Sequence, residues 1–269
     1  GTFSISTQPN STYATASISG NKITITGKSA GSTTLKAKEA NGNKEITINI
    51  TVKTTSISAS STSVTAYVGG ASKTVTLSGT NAGTFSISSG PNSTYATASI
   101  SGSTITITPK AEGTTSLVAK EANGNKMVTI NITVKETTIT ANPTSITVYA
   151  GGSNGTVTLG GTNAGTFSIS TQPNSTYATA SISGSTITII GKSAGTTSLI
   201  AKEANGNKTV IINITVKMAN YSITSSSNTS YYEALNETVA SATNGQTIKT
   251  LRNVTESNAV TLDKEINWD

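Results

Sequence analysis

Over most of the chain apolar and polar residues alternate one for one, the period of a strand with one buried face and one wet face. From Ser63 onward the alternation runs through Ser63–Val68, Val75 and Leu77, Phe85 and Ile87, Tyr95–Ser101, Ile105 and Ile107, and Leu117 and Ala119. It closes with Val128, Ile130, Ile132 and Val134. The breaks between these runs are turn formers: Gly69-Gly70, Gly79, Gly102-Ser103 and Asn123-Gly124. Gly102-Ser103 reads as a two-residue hairpin, and Asn123-Gly124 suits a type I′ turn because both residues tolerate positive φ. Seven or eight short strands separated by turns are the pattern of a two-layer sandwich. In this phase Phe85 is the largest inward side chain, and Phe85→Ala is expected to cost about 3–5 kcal/mol.

The pattern recurs every 82 residues. Phe3, Phe85 and Phe167 keep that spacing, as do Tyr13, Tyr95 and Tyr177, Pro9, Pro91 and Pro173, and the pairs Lys38-Glu39, Lys120-Glu121 and Lys202-Glu203. Such a period is too long for a solenoid rung or a propeller blade and suits one small sandwich per copy. The expected organisation is a partial repeat over 1–53, repeats over 54–135 and 136–217, and a different tail over 218–269. Gly1 aligns with Gly83, so the first copy lacks a counterpart of Thr54–Ala82. The sequence is therefore expected to be an excerpt of a longer chain, or to borrow strands from another subunit, because open edges would otherwise leave the first core half covered.

Composition narrows the chemistry. Hydrophobic residues make up 34% and charged residues 11%, with no Cys and no His. Disulfides, thiolate chemistry and imidazole bases or ligands are excluded. The net charge of +6 comes almost wholly from Lys; Arg252 is the sole Arg. These lysines are dispersed and aromatics are 4% of the chain, so neither a nucleic-acid patch nor a stacking platform is present. No apolar span long enough for membrane insertion occurs in this segment. Sparse charge with abundant Ser and Thr suits an extracellular bacterial surface protein.

The copy also resembles a known family. Val68-Gly69-Gly70, the Ala96–Ser99 run Ala-Thr-Ala-Ser, the Ala111–Thr115 turn and the closing alternating strand are similar to bacterial Ig-like domains of group 2 (BIG2), over residues 1–217. The usual mid-domain Trp is missing, and Phe85 fills that space in this reading. The resemblance implies stalks and adhesins of cell surfaces, or decorations of phage virions, and no catalytic residues. The fold class expected is all-β: tandem immunoglobulin-like β-sandwiches with a short C-terminal helix plus β segment.

The tail departs from the alternation at Met218. Tyr231, Leu235 and Val239 form a helical stripe, giving an expected helix over 231–243 that opens on a Ser230/Glu233 capping box and stops at Asn244-Gly245. Thr247–Leu251, Ala259–Leu262 and Ile266–Trp268 read as strands. This string resembles the cap and first rung of right-handed parallel β-helix domains of bacterial surface proteins, and a single rung cannot bury its own faces.

Candidate motifs resolve into structure rather than chemistry. Glu39, Glu121 and Glu203 each follow a Lys, one per copy, so no two of these acids converge in one pocket as acid/base work requires. Gly27-Lys28-Ser29 and Gly191-Lys192-Ser193 imitate the end of a phosphate loop, but Lys22 and Thr186 stand where its first Gly belongs, and the middle copy has Pro109-Lys110-Ala111. The only aspartates are Asp263 and Asp269, too few for a calcium loop. The outward row Thr104, Thr106, Thr108 is read as a wet strand face rather than an ice or glycan binder. Asn-x-Ser/Thr triplets recur at Asn10, Asn92 and Asn174 and at Asn49, Asn131 and Asn213, as chance allows in so Ser/Thr-rich a chain; Asn131 lies in a strand, a poor acceptor position. An internal Lys–Asn cross-link through Lys73 is not shared, because Gly155 stands there in the next copy.

No catalytic, cofactor-binding or metal-binding residue is therefore assigned, and no cofactor. The expected partners are neighbouring Ig-like repeats of one longer chain, with surface glycans or host proteins as further candidates. The reading is a non-catalytic stalk or adhesin segment outside the cell. Alternatives are a phage fibre or virion module that binds host glycans weakly, and the non-catalytic part of a polysaccharide-active β-helix enzyme.

Overall fold

The computed structural model describes residues 1–269 apart from 226, 227, 257, 258 and 263. Asp263 of the calcium argument lies outside the described residues. The chain separates into two compact units, Gly1–Ala66 with Ser72–Val134, and Tyr67–Ala71 with Lys135–Asp269. Nearly all regular structure is β, in tandem immunoglobulin-like sandwiches followed by a smaller sheet with one short helix.

The first copy supplies β1 (Phe3–Thr7), β2 (Ala14–Ser19), β3 (Lys22–Gly27), β4 (Gly31–Glu39) and β5 (Glu45–Val52). They form a β1-β4-β5 sheet and a β2-β3 hairpin around Ala14, Leu35, Ala37 and Ile50. The second copy supplies β6 (Ser58–Ala59), β7 (Ser63–Tyr67), β8 (Lys73–Ser78), β9 (Phe85–Ser89), β10 (Ala96–Ser101), β11 (Thr104–Pro109), β12 (Gly113–Glu121) and β13 (Met127–Lys135). Its two sheets run β10-β11-β8-β6 and β7-β13-β12-β9. The third copy repeats this layout with β14 (Thr140–Asn142), β15 (Ser145–Tyr149), β16 (Gly155–Gly160), β17 (Phe167–Thr171), β18 (Ala178–Ser183), β19 (Thr186–Gly191), β20 (Gly195–Glu203) and β21 (Thr209–Lys217), in sheets β14-β16-β19-β18 and β15-β21-β20-β17. Here β15 runs parallel to β21, from Ser145↔Asn213 to Tyr149↔Lys217.

The alternation fixes which side chains meet between the sheets. Val75, Leu77, Ile105, Ile107, Leu117, Ala119, Ile130, Ile132 and Val134 are buried, and the residues between them (Thr76, Thr106, Val118, Asn131 and Thr133) are exposed or only partly buried on the opposite face. Each fully buried Val, Leu or Ile contributes about 1.5–3 kcal/mol. Gly113 is required where it stands: its φ is +152° and a Cβ there would lie 2.5 Å from the Tyr95 ring, with Gly31/Tyr13 and Gly195/Tyr177 repeating the arrangement.

Four sequence expectations are corrected. Phe85 is not a central core element. It lies half-buried on β9, the outer strand of its sheet, so its ring sits at the rim of the sandwich, and Phe3 is 49% exposed. The largest fully buried side chains are Leu and Ile instead. Secondly, Asn123-Gly124 does not form a type I′ turn. Lys120 pairs with Met127, and the positive φ falls on Asn125 (59°), giving a wider loop anchored by Glu121. The Gly102-Ser103 turn does take the two-residue form, with Ser101 opposite Thr104.

The tail carries the other two corrections. Its elements are β22 (Tyr221–Ser225), β23 (Asn228–Tyr232), α1 (Leu235–Ser241), β24 (Thr247–Thr250) and β25 (Asn267–Trp268), in a sheet ordered β23-β22-β24-β25. The helix does not span 231–243. Pairing with β22 draws Tyr231 and Tyr232 into a strand, opposite Ser222 and Tyr221, and the Ser230/Glu233 box never forms. The helix starts after Ala234, which offers no side-chain cap. Its C-terminal carbonyls are instead met by Lys264 Nζ, which donates to the oxygens of Ala240 (2.9 Å) and Ala242 (3.0 Å). Ala259–Leu262 has no strand. Tyr221, Ile223, Val239, Ala242 and Ile248 form the small core.

Candidate functional site: carboxylate-centred joints

The polar groups converge where each complete copy begins. Strand β12 ends at Glu121 and the next residues, Ala-Asn-Gly-Asn-Lys, turn back toward β13. The Glu121 side chain is fully buried inside that turn. It accepts hydrogen bonds from the N–H groups of Asn123 (2.8 Å), Gly124 (3.0 Å) and Lys126 (2.8 Å). A fourth comes from the hydroxyl of Thr55 (2.9 Å), which lies in the segment entering the same sandwich. Glu203 does the same in the third copy, with Asn205 (2.8 Å), Gly206 (2.9 Å), Lys208 (2.8 Å) and the buried Thr137 hydroxyl (2.9 Å).

A buried carboxylate without a cation is stable only if its oxygens are filled by donors. Burial pushes the Glu121 carboxyl up; the N–H groups of Gly124 and Lys126, the Thr55 hydroxyl and the Asn123 N–H together outweigh it and leave it below its ordinary value. For Glu203 burial is again the largest influence, and the Lys208, Gly206, Thr137 and Asn205 donors again prevail in lowering it. Glu39 in the first copy is only partly buried and accepts from the N–H groups of Asn41 and Gly42.

Asparagine amides extend each anchor. Asn81 Nδ2 donates to the Thr54 carbonyl (2.9 Å) and Asn123 Nδ2 to the Asn81 carbonyl (2.7 Å). Asn163 and Asn205 repeat this on the carbonyls of Glu136 (2.9 Å) and Asn163 (2.8 Å). Asn81 and Asn163 hold positive φ (52° and 54°), a conformation that the short amide side chain tolerates. The entry segment of a sandwich is thus bound to that sandwich's own final hairpin.

Within the second unit the Glu203 turn has a further contact. Asn207 Nδ2 donates to the Gly69 carbonyl (2.8 Å), and a Cβ on Gly70 would fall 2.1 Å from the Asn205 carbonyl oxygen. The two glycines at 69–70 allow this close backbone approach. At the other end of the third copy, Tyr149 stacks on Tyr231 (ring centroids 5.9 Å apart), and Lys217 pairs with Glu233 (3.1 Å). Hydrogen bonding to Glu233 raises the Lys217 pKa.

The other sequence candidates do not converge. In the phosphate-loop imitations, Lys28 N–H and Ser29 N–H both donate to the Tyr13 carbonyl, and Lys192 and Ser193 to that of Tyr177, so these amides are already occupied. Phe85 lines an open cleft of about 460 Å³ with Gly83, Thr84, Ile100, Gly102 and Ser103; Phe167 lines its counterpart, also about 460 Å³. Neither cleft holds an ionisable side chain. Among the described residues no three His, Cys, Asp or Glu side chains cluster as metal ligands, and no helix is long and apolar enough to cross a membrane. The carboxylate anchors were not read from the sequence. Their signal is the coincidence, in both complete copies, of a Thr two residues past the joint Lys with a Glu opening the Ala-Asn-Gly-Asn-Lys turn.

No protein-family profile matches the chain, and no curated protein does. Among solved structures it is similar to the I9–I11 tandem from titin, with 13% identity and a TM-score of 0.39, over 81% of this chain and 90% of that one. It is also similar to domains 4–9 of the surface layer protein SbsC, with 21% identity and a TM-score of 0.26 over 83% of this chain. An endo-fucoidan hydrolase of glycoside hydrolase family 107 shows 13% identity and a TM-score of 0.25 over 80% of this chain. This chain spans 40% of the SbsC fragment and 38% of the hydrolase.

Proposed function

We propose that this chain is a non-catalytic, load-bearing stalk segment of an extracellular surface protein, built from group 2 bacterial Ig-like repeats and leading into a β-helix-like domain. The observation that carries the reading is the carboxylate anchor. In both complete copies the most elaborate polar network ties the entering chain to its own sandwich, and it offers no open coordination or reaction position. A segment that must transmit tension gains from such an arrangement, because the joint is held by the domain rather than left as a free linker.

The parallel pair supports the same reading. Tension across the third copy pulls β15 from its N-terminal side and β21 from its C-terminal side. Parallel strands so pulled slide in shear, and their ladder bonds are loaded together instead of unzipping singly. The tail's β24 and β25 also pair in parallel, from Thr247↔Asn267 to Ile248↔Trp268, which is the step a parallel β-helix would repeat.

Stretching the full chain by its ends in a single-molecule instrument tests this. The expected record has two discrete events of equal length, each releasing about 28 nm of extended chain less the folded span. A smooth extension without such events, or turnover of a polysaccharide by this chain, would contradict the proposal.

A further inference from the structure

We propose that Asn10, Asn92 and Asn174 are acceptor sites for N-linked glycan transfer onto the folded sandwich. Each begins an Asn-Ser-Thr triplet in the loop before β2, β10 or β18, and all three residues of every triplet are exposed. The loops share one geometry. The Asn N–H is held by a threonine hydroxyl across the loop, Thr33, Thr115 or Thr197, at 2.8–2.9 Å. The Asn Oδ1 accepts the N–H of the Thr two residues on, at 2.9 Å for Asn10 and 3.0 Å for Asn92 and Asn174. The Nδ2 group makes no hydrogen bond among the described residues.

That arrangement suits the chemistry. An amide nitrogen attacks carbon only if it sheds a proton, and a hydrogen bond into Oδ1 draws electron density from nitrogen and eases that loss. The co-reactant is an oligosaccharide carried on a polyprenyl diphosphate. The Nδ2–C1 bond to the first sugar forms as the C1–O bond breaks. The polyprenyl diphosphate leaves with the electron pair, and the Nδ2 proton passes to an enzyme base.

The second set of triplets supplies an internal contrast. Asn49, Asn131 and Asn213 begin Asn-Ile-Thr inside β5, β13 and β21. They are also exposed, but they are paired in the ladder, Asn131 opposite Ser116 and Asn213 opposite Ser198. An extended strand cannot bend its Oδ1 onto the N–H two residues on, and it cannot fold into a transferase without breaking the sheet. Exposure alone would make both sets acceptors; turn geometry makes only the loop set so.

The test uses the folded full chain, a purified oligosaccharyltransferase that recognises Asn-x-Thr, and its lipid-linked oligosaccharide, with glycopeptides counted by mass spectrometry. Short peptides of both triplets confirm that the enzyme accepts each sequence. The expected result is occupancy at Asn10, Asn92 and Asn174 at least tenfold above that at Asn49, Asn131 and Asn213, with Asn92→Gln removing one site and leaving the other two unchanged. Unmodified loops under conditions that modify the peptides, or equal occupancy of loop and strand asparagines, would overturn the proposal. Neither outcome bears on the stalk reading, which stands or falls on mechanics.

Discussion

Glu121 and Glu203 each accept from four donors and form no salt bridge among the described residues, and this decides how acid acts on the sandwich. Their carboxyls lie below the ordinary value of 4.5 in the folded chain, so between that value and the folded one the unfolded chain binds more protons. The stabilisation is complete above the ordinary carboxylate range and is lost as pH falls through the folded pKa. Thermal melts from neutral to acid pH should show Tm dropping below about pH 4.5. The double variant Glu121→Gln/Glu203→Gln should start lower at neutral pH and lose much of that acid slope. Gly113→Ala meets a different constraint, a positive φ and the Tyr95 ring, and should cost about 1–3 kcal/mol in denaturant melts. Burial ranks the apolar side chains: Leu117→Ala should cost about 2–5 kcal/mol, and the half-buried Phe85→Ala only about 1–2 kcal/mol. A larger loss at Phe85 than at Leu117 would restore Phe85 to the centre of the core.

At the scale of elements, the sandwich strands were legible because a period of two is set by the pleat itself, and Val75, Leu77, Ile105, Ile107, Ile130 and Ile132 all obey it. Loops were legible where two residues decide the turn, as at Gly102-Ser103. They were not where a distant side chain decides it: Asn123-Gly124 carries a hairpin signal, yet Glu121 collects the amides of a wider loop and moves the left-handed residue to Asn125. The same competition operates in the tail. Tyr231, Leu235 and Val239 have helical spacing, but strand pairing with β22 claims Tyr231 first. The resulting helix, Leu235–Ser241, is short, and its N-cap residue Ala234 offers no side-chain cap. Ala234→Asp should therefore stabilise the tail by about 0.5–1 kcal/mol, measurable as a rise in its calorimetric transition; no rise would mean the helix start is set elsewhere. The anchors themselves escaped sequence reasoning because Thr55 and Glu121 lie 66 residues apart, and no local period links them.

Across the whole molecule, repetition supplies a common sandwich, and each complete copy holds its own entering segment. Thr55 and Thr137 bring the entering chain under a buried carboxylate. Within the second unit, Gly69-Gly70 meets the Glu203 turn and Tyr149 meets Tyr231 of the tail. Each complete copy thus has its own buried core and its own carboxylate anchor. The entry segments are held, not free. Amide hydrogen exchange of the full chain measures this directly. The amides of Asn205, Gly206 and Lys208 should exchange within about tenfold of the core strand amide of Ile212, and Thr137→Val should speed all three without changing Ile212. Exchange of those turn amides as fast as an exposed loop, in the unaltered chain, would contradict it.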